Sequence, residues 1–121
     1  MKNLSFILIL ILCSCAGTDK WTKADKTLLT INGVMMTVDM LQTQDIYRRS
    51  EYYEINPVID AGVKQFGTGF IPFYFIGSFG LRYLIADSLP STYRKVFLSG
   101  TALVSTFLVI NNDSIGLKVR F

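Results

Sequence analysis

The chain has 121 residues, enough for one small domain, and it is half apolar with only 17% charged side chains. A positive mean hydropathy (+0.39) and nine Phe make it more hydrophobic than an ordinary soluble domain of this length. The net charge of +3 comes from twelve basic and nine acidic residues. The basic ones are scattered as Lys20, Lys23 and Lys26, Arg48 and Arg49, Arg94 and Lys95, and Lys118 and Arg120. No phosphate-tracking stripe forms, so nucleic acid is excluded as the expected partner.

Met1, Lys2 and Asn3 make a short positive start. The apolar run Leu4 to Leu12 that follows has the length of a secretory leader and is too short to span a bilayer. Leu12-Cys13-Ser14-Cys15 resembles the lipobox of bacterial lipoproteins, with an aliphatic residue three before the cysteine and a small one directly before it. The resemblance implies cleavage before Cys15, a thioether to diacylglycerol on its sulfur, and acylation of its freed amine by a chain such as palmitate. Two or three chains hold a protein to a membrane stably, at about 0.8 kcal/mol per buried methylene. Lipidation removes the only thiol of the mature chain, which leaves no disulfide, thiol nucleophile or cysteine metal site. Residues 1 to 14 are thus expected as a signal peptide, 15 to 22 as a lipidated tether, and 23 to 121 as a helical, membrane-associated domain.

Thr22 with Asp25 fits a capping signature ahead of a first helix, expected from about Lys23 to Tyr47. At about 100° per residue, Asn32, Asp39 and Thr43 fall near one line with Met36 close by, a polar stripe on an otherwise apolar surface. Arg48 to Ile55 reads as a connection. Asn56-Pro57 starts a short helix to about Gln65, with Asn as cap and Pro in the first turn, where its missing N–H costs nothing. Gly67 and Gly69 end it.

Phe70 to Ala86 is nearly all apolar with Arg82 its only charge, and 17 to 20 helical residues reach about 25 to 30 Å, barely a bilayer core. Asp87, Ser88 and Pro90 punctuate, and a third long helix is expected from Ser91 to Ile110. Its Ser99, Ala102 and Thr106 form a small-residue face that allows close helix approach. Asn111, Asn112 and Asp113 are expected to stop it. The tail alternates Ile115, Leu117, Val119 and Phe121 with Gly116, Lys118 and Arg120, a pattern open to a lone strand. The expected fold is an all-α bundle of about three main helices plus a short one, membrane-embedded, with a short C-terminal tail.

Catalysis finds little support. The chain has no His, no phosphate-cradling glycine loop and no metal-ligand spacing, so no cofactor and no catalytic residue are expected. The carboxylate pairs Glu51 with Glu54 and Asp39 with Asp45 read as solvated or structural rather than as a general acid and base. Asp39 and Arg82 each sit in an apolar segment, where an unpaired charge is costly, and are expected to pair across helices. Asn32, Asp39, Gln42, Thr43, Glu54, Asn56, Arg82 and Arg94 make up the expected polar network. It either fixes helix register or lines an ion path through Asp39.

The body of the chain resembles small helical membrane proteins of bacteria and their phages that have no assigned reaction. The matching positions are Asp39-x-x-Gln42-Thr43, Glu54-x-Asn56-Pro57, Pro90 with Arg94, and Asn111 ahead of Gly116. The resemblance implies a bundle of three or four helices with a structural or interaction role, its partners being membrane lipid through Cys15 and an envelope protein or a second copy. It also admits a prophage-type superinfection-exclusion lipoprotein. Spanning helices place such a protein in the inner membrane, whereas Ala16 after Cys15 lacks the Asp that retains lipoproteins there. A bundle that does not span would instead sit on the periplasmic face of a membrane.

Overall fold

A computed structural model describes residues 19–119; the expected leader, Cys15, the first part of the tether, and Arg120 and Phe121 lie outside the described residues. Among the described residues there are four helices and no strand: α1 (Lys23–Ile46), α2 (Pro57–Phe66), α3 (Phe70–Ser88) and α4 (Ser91–Ser114).

Each helix start has a local cause. At α1, the Thr22 hydroxyl accepts from the Asp25 backbone N–H while the Asp25 carboxylate accepts from the Thr22 N–H, a reciprocal capping box. At α2, Asn56 Oδ1 accepts from the Val58 and Ile59 N–H groups and Pro57 occupies the first turn. Gly67 ends α2 at φ +79°, a conformation that disfavours a side chain.

α4 runs one turn past the expected stop. Asn112 stays helical because its side chain donates to Asp39 Oδ1 on α1 (2.9 Å). The helix then closes with a Schellman motif: Leu117 N–H donates to Asn112 O, Gly116 N–H donates to Asp113 O, and Gly116 sits at φ +98°. Among the described residues the tail, whose alternation left a lone strand open, forms this cap instead, which buries Leu117.

α1 packs mainly against α4, less against α3, and α2 folds onto α3. Met36, Ile59, Ile71 and Phe75 form an apolar core where α1, α2 and α3 meet. Gly62 permits that junction, since a Cβ there would run into the Phe70 ring. Elsewhere the usual partition is reversed. The buried set includes Asp25, Asn32, Gln42, Asp45, Arg94 and Ser105, while Phe73 (74% exposed), Ile76, Leu84, Leu103 (72%) and Phe107 face outward. One helix, Ser91–Ser114, is long and apolar enough by composition to cross a membrane.

Candidate functional site

The buried polar groups form a spine along α1. Buried Asp25 and Asn32 and half-buried Asp39 recur every seventh residue, about 10 Å apart on one face, and each meets a different partner.

In the middle layer, Arg82 of α3 donates through Nη1 to Asn32 Oδ1 (2.6 Å) and to Ser105 Oγ of α4 (3.0 Å). Asn32 in turn donates to Leu98 O on α4 (3.0 Å) and to Leu28 O in its own helix. One Asn and one Arg thereby tie three helices together through neutral acceptors.

The lower layer joins α1 to α4. Asp39 accepts from Asn112, and Gln42 Nε2 donates to Val109 O (3.3 Å). Thr43 is buried on the same face. Beneath it, buried Asp45 pairs with Arg49 (3.3 Å) and accepts from the Lys118 backbone N–H (3.1 Å), which pins the C-terminal segment. Tyr52 reaches the same region, its hydroxyl donating to Ile115 O.

The upper layer centres on Arg94, a fully buried guanidinium. Nε donates to Ala86 O (2.9 Å), Nη2 donates to Leu89 O and Asp19 O (both 3.1 Å), and Nη1 lies 3.5 Å from Asp25 Oδ2. Two of these acceptors are carbonyls at the end of α3, Ala86 O also taking the Leu89 N–H (3.2 Å), so Arg94 acts as its C-terminal cap. The guanidinium also lies over the Trp21 ring, 4.9 Å from its centroid. Trp21 stacks on Tyr83 and donates to Asp87 Oδ1 (2.7 Å). Asp19 Oδ2 accepts from Ser91 N–H (2.8 Å), supplying α4 with the cap that Pro90 cannot. The segment Asp19–Trp21 is therefore a strap laid over the α3–α4 turn.

The expected pairing of Asp39 with Arg82 does not occur. Arg82 bonds at the level of Asn32, two helical turns from Asp39, and each group satisfies itself within its own layer. Glu54 and Asn56 belong to a separate corner. Glu54 Oε1 accepts from the Asn56 N–H and Asn56 Nδ2 donates to Tyr74 Oη, which sets α2 against α3. Beside it, burial and then the carboxylates of Glu54 and Asp60 push the Tyr47 phenol above its ordinary pKa, so it stays protonated throughout the physiological range.

Sequence reasoning missed Asp19, Trp21, Asp25 as an ion-pair partner, Ser105 and Asn112. Ser105 and Asn112 carry a usable signal. Each lies on the α4 face that bears Leu98 and Ala102, at heptad spacing from one another.

A groove of about 690 Å³ opens between α1 and α3, lined by Leu29, Gly33, Val34, Met36, Phe75 and Phe79 among others. Its two hydroxyls, Thr30 and Thr37, are turned back onto helix carbonyls, so it offers shape and apolar contact rather than polar recognition. Comparison with known protein families, curated proteins and solved structures gives no match.

Proposed function

We propose that the chain is a lipid-anchored, membrane-embedded helical protein of the bacterial envelope with a structural or interaction role. The observation that carries this reading is the inverted partition. Polar side chains point inward and bond across helices, large apolar ones face outward, and the outward belt is free of charge over matching lengths.

Those lengths are Thr27–Gln44 on α1, Phe70–Ala86 on α3 and Val96–Asn112 on α4, roughly 17 or 18 residues and about 25 Å each. They approach the thickness of a hydrocarbon core. The two charged side chains within these lengths, Asp39 and Arg82, both hydrogen-bond to neighbouring helices. Arg82 reaches two of them, as intramembrane charges do. Small and polar residues supply helix contacts where lipid removes any hydrophobic drive for association.

Because each of the three polar layers bonds within itself across elements and no side-chain bond links one layer to the next among the described residues, they support a register-fixing role over a continuous ion path. The outward apolar faces and the lipobox together favour lipid as the principal partner, with an envelope protein or a second copy as the further one. Three crossing helices favour the inner membrane.

The test replaces the leader and Cys15 with a cleavable non-lipid signal and extracts the membranes at alkaline pH. The mature chain is expected to stay in the pellet, held by its helices. Release into the supernatant would overturn membrane embedding and leave the lipid as the sole anchor. Labelled palmitate, incorporated by the natural chain and lost in Cys15→Ser, tests the lipid separately.

A further inference from the structure

We propose that the strap end of the bundle is a headgroup-binding surface, with Trp21 at the membrane interface and a ring of lysines that takes anionic phospholipid. This rests on the membrane-embedded reading and names its lipid partner.

Two independent features of this end point to lipid headgroups. First, its aromatic residues are amphipathic and reach the surface, Trp21 in part and Tyr83 and Tyr93 more fully. Trp21 and Tyr83 stack at 5.5 Å, and Tyr93 in the first turn of α4 is 66% exposed. Trp21 and Tyr93 lie just beyond the apolar belt and Tyr83 in its last turn, where Trp and Tyr collect in membrane proteins. Second, the cations here are unspent. Lys20, Lys23, Lys26 and Lys95 are exposed and enter no ion pair among the described residues. Of the carboxylates at this end, Asp25 is spent on Arg94, while Asp19 and Asp87 accept from the neutral donors Ser91 N–H and Trp21 Nε1 and keep their charge, so four lysines face two uncompensated carboxylates and an excess of two positive charges remains.

The opposite end contrasts. Its Arg49 pairs with Asp45 and Glu51, Lys64 with Asp60 and Lys118 with Asp113, and the charge of exposed Arg48, which enters no ion pair among the described residues, is matched by that of Glu54. Basic charge left over after internal pairing is thus concentrated at the strap end. Lysines near a bilayer attract anionic lipid within a Debye length. The strap also keeps the anchor close, because Cys15 is four residues from Asp19, at most about 14 Å of extended chain.

Trp21 is the only tryptophan, so its fluorescence reports this end alone. The full mature chain is reconstituted into vesicles of phosphatidylethanolamine and phosphatidylglycerol carrying bromine either high on the acyl chain or near its terminus. The shallow quencher is expected to act more strongly than the deep one. Brominated phosphatidylglycerol is expected to outdo brominated phosphatidylethanolamine at equal depth, with a local enrichment of about fivefold, the factor a single lysine near the surface confers. Replacing the four lysines with Gln should abolish that lipid preference and leave the depth profile intact.

Stronger deep quenching, or equal quenching by both lipids in the natural chain, would overturn the proposal. If the protein floats with the vesicles but Trp21 is not quenched, the strap end points away from the bilayer; the proposal then fails while membrane embedding stands. If it does not float at all, both fail.

Discussion

Removing the guanidinium of Arg94 is the sharpest test of the polar spine. Arg94→Met keeps most of the side chain's length and apolar bulk, but strips hydrogen bonds from the carbonyls of Ala86, Leu89 and Asp19 and leaves the buried Asp25 carboxylate without its cation. Breaking a buried pair by removing one partner costs about 3–5 kcal/mol, and loss of the contact with Trp21 adds roughly 0.5–2 kcal/mol. The second variant, Asp25→Asn, removes the orphaned charge and keeps the Thr22 cap in place through the amide oxygen. In the Arg94→Met background it should therefore restore more than about 1 kcal/mol. Arg94→Lys keeps the charge without the fork and should fall between the natural chain and Arg94→Met. Stability is read by titrating micelle-embedded protein with a denaturing detergent and following Trp21 emission, with helix content as a second probe. Additive losses in the double variant, or a loss below about 1 kcal/mol for Arg94→Met, would refute the claim that this pair and its carbonyl bonds hold the strap.

Other outcomes follow from the remaining layers. Asn32→Leu deprives Arg82 of its closest acceptor and should destabilise the bundle by about 2–4 kcal/mol, whereas the double change with Arg82→Met should recover much of that loss, since an apolar pair leaves no orphan charge; the same detergent titration measures both. Asp39→Asn keeps an acceptor for Asn112, so stability should change by less than about 1 kcal/mol, and proton or cation flux across reconstituted vesicles should equal that of the natural chain; loss of a measurable flux would revive the ion-path reading. Gly116→Ala forces a side chain into φ +98° and against the Tyr52 hydroxyl, for a loss of about 1 kcal/mol or more and faster amide exchange over Leu117 and Lys118. Single cysteines introduced at Thr92 and Ser50 should react differently with an impermeant maleimide. The first should label in intact spheroplasts, on the side of the lipid anchor, and the second only after permeabilisation; labelling of both in intact cells would show that α1 does not cross.

Much of the fold was legible along the chain. The capping box at Thr22, the Asn56-Pro57 start and the apolar run from Phe70 each have a cause within a few residues, so helix positions emerge from local chemistry alone. The polar stripe of Asn32, Asp39 and Thr43 was visible for the same reason, since helical periodicity places those residues on one face whatever they touch. The end of α4 was misplaced because Asn111, Asn112 and Asp113 are poor helix formers in isolation. The bond from Asn112 to Asp39, a contact between distant parts of the chain, joins the cap that buries Leu117 in making the extra turn favourable.

Partner choice lay beyond the sequence. Arg82 and Asp39 read as a pair because each is a charge in an apolar segment, yet the vertical offset between α1 and α3 puts Arg82 at Asn32, and no periodicity encodes that offset. Nor does local pattern reveal that Asp19 caps a helix beginning at Ser91, or that Arg94 closes α3 beneath Trp21. Sequence by itself determined where the helices lie to within about a turn and which face of α1 is polar, because both depend mainly on neighbours within two turns. Tertiary structure alone decided which polar group meets which, since hydrogen bonds are short and directional and a shift of one turn, about 5.4 Å, exchanges every partner.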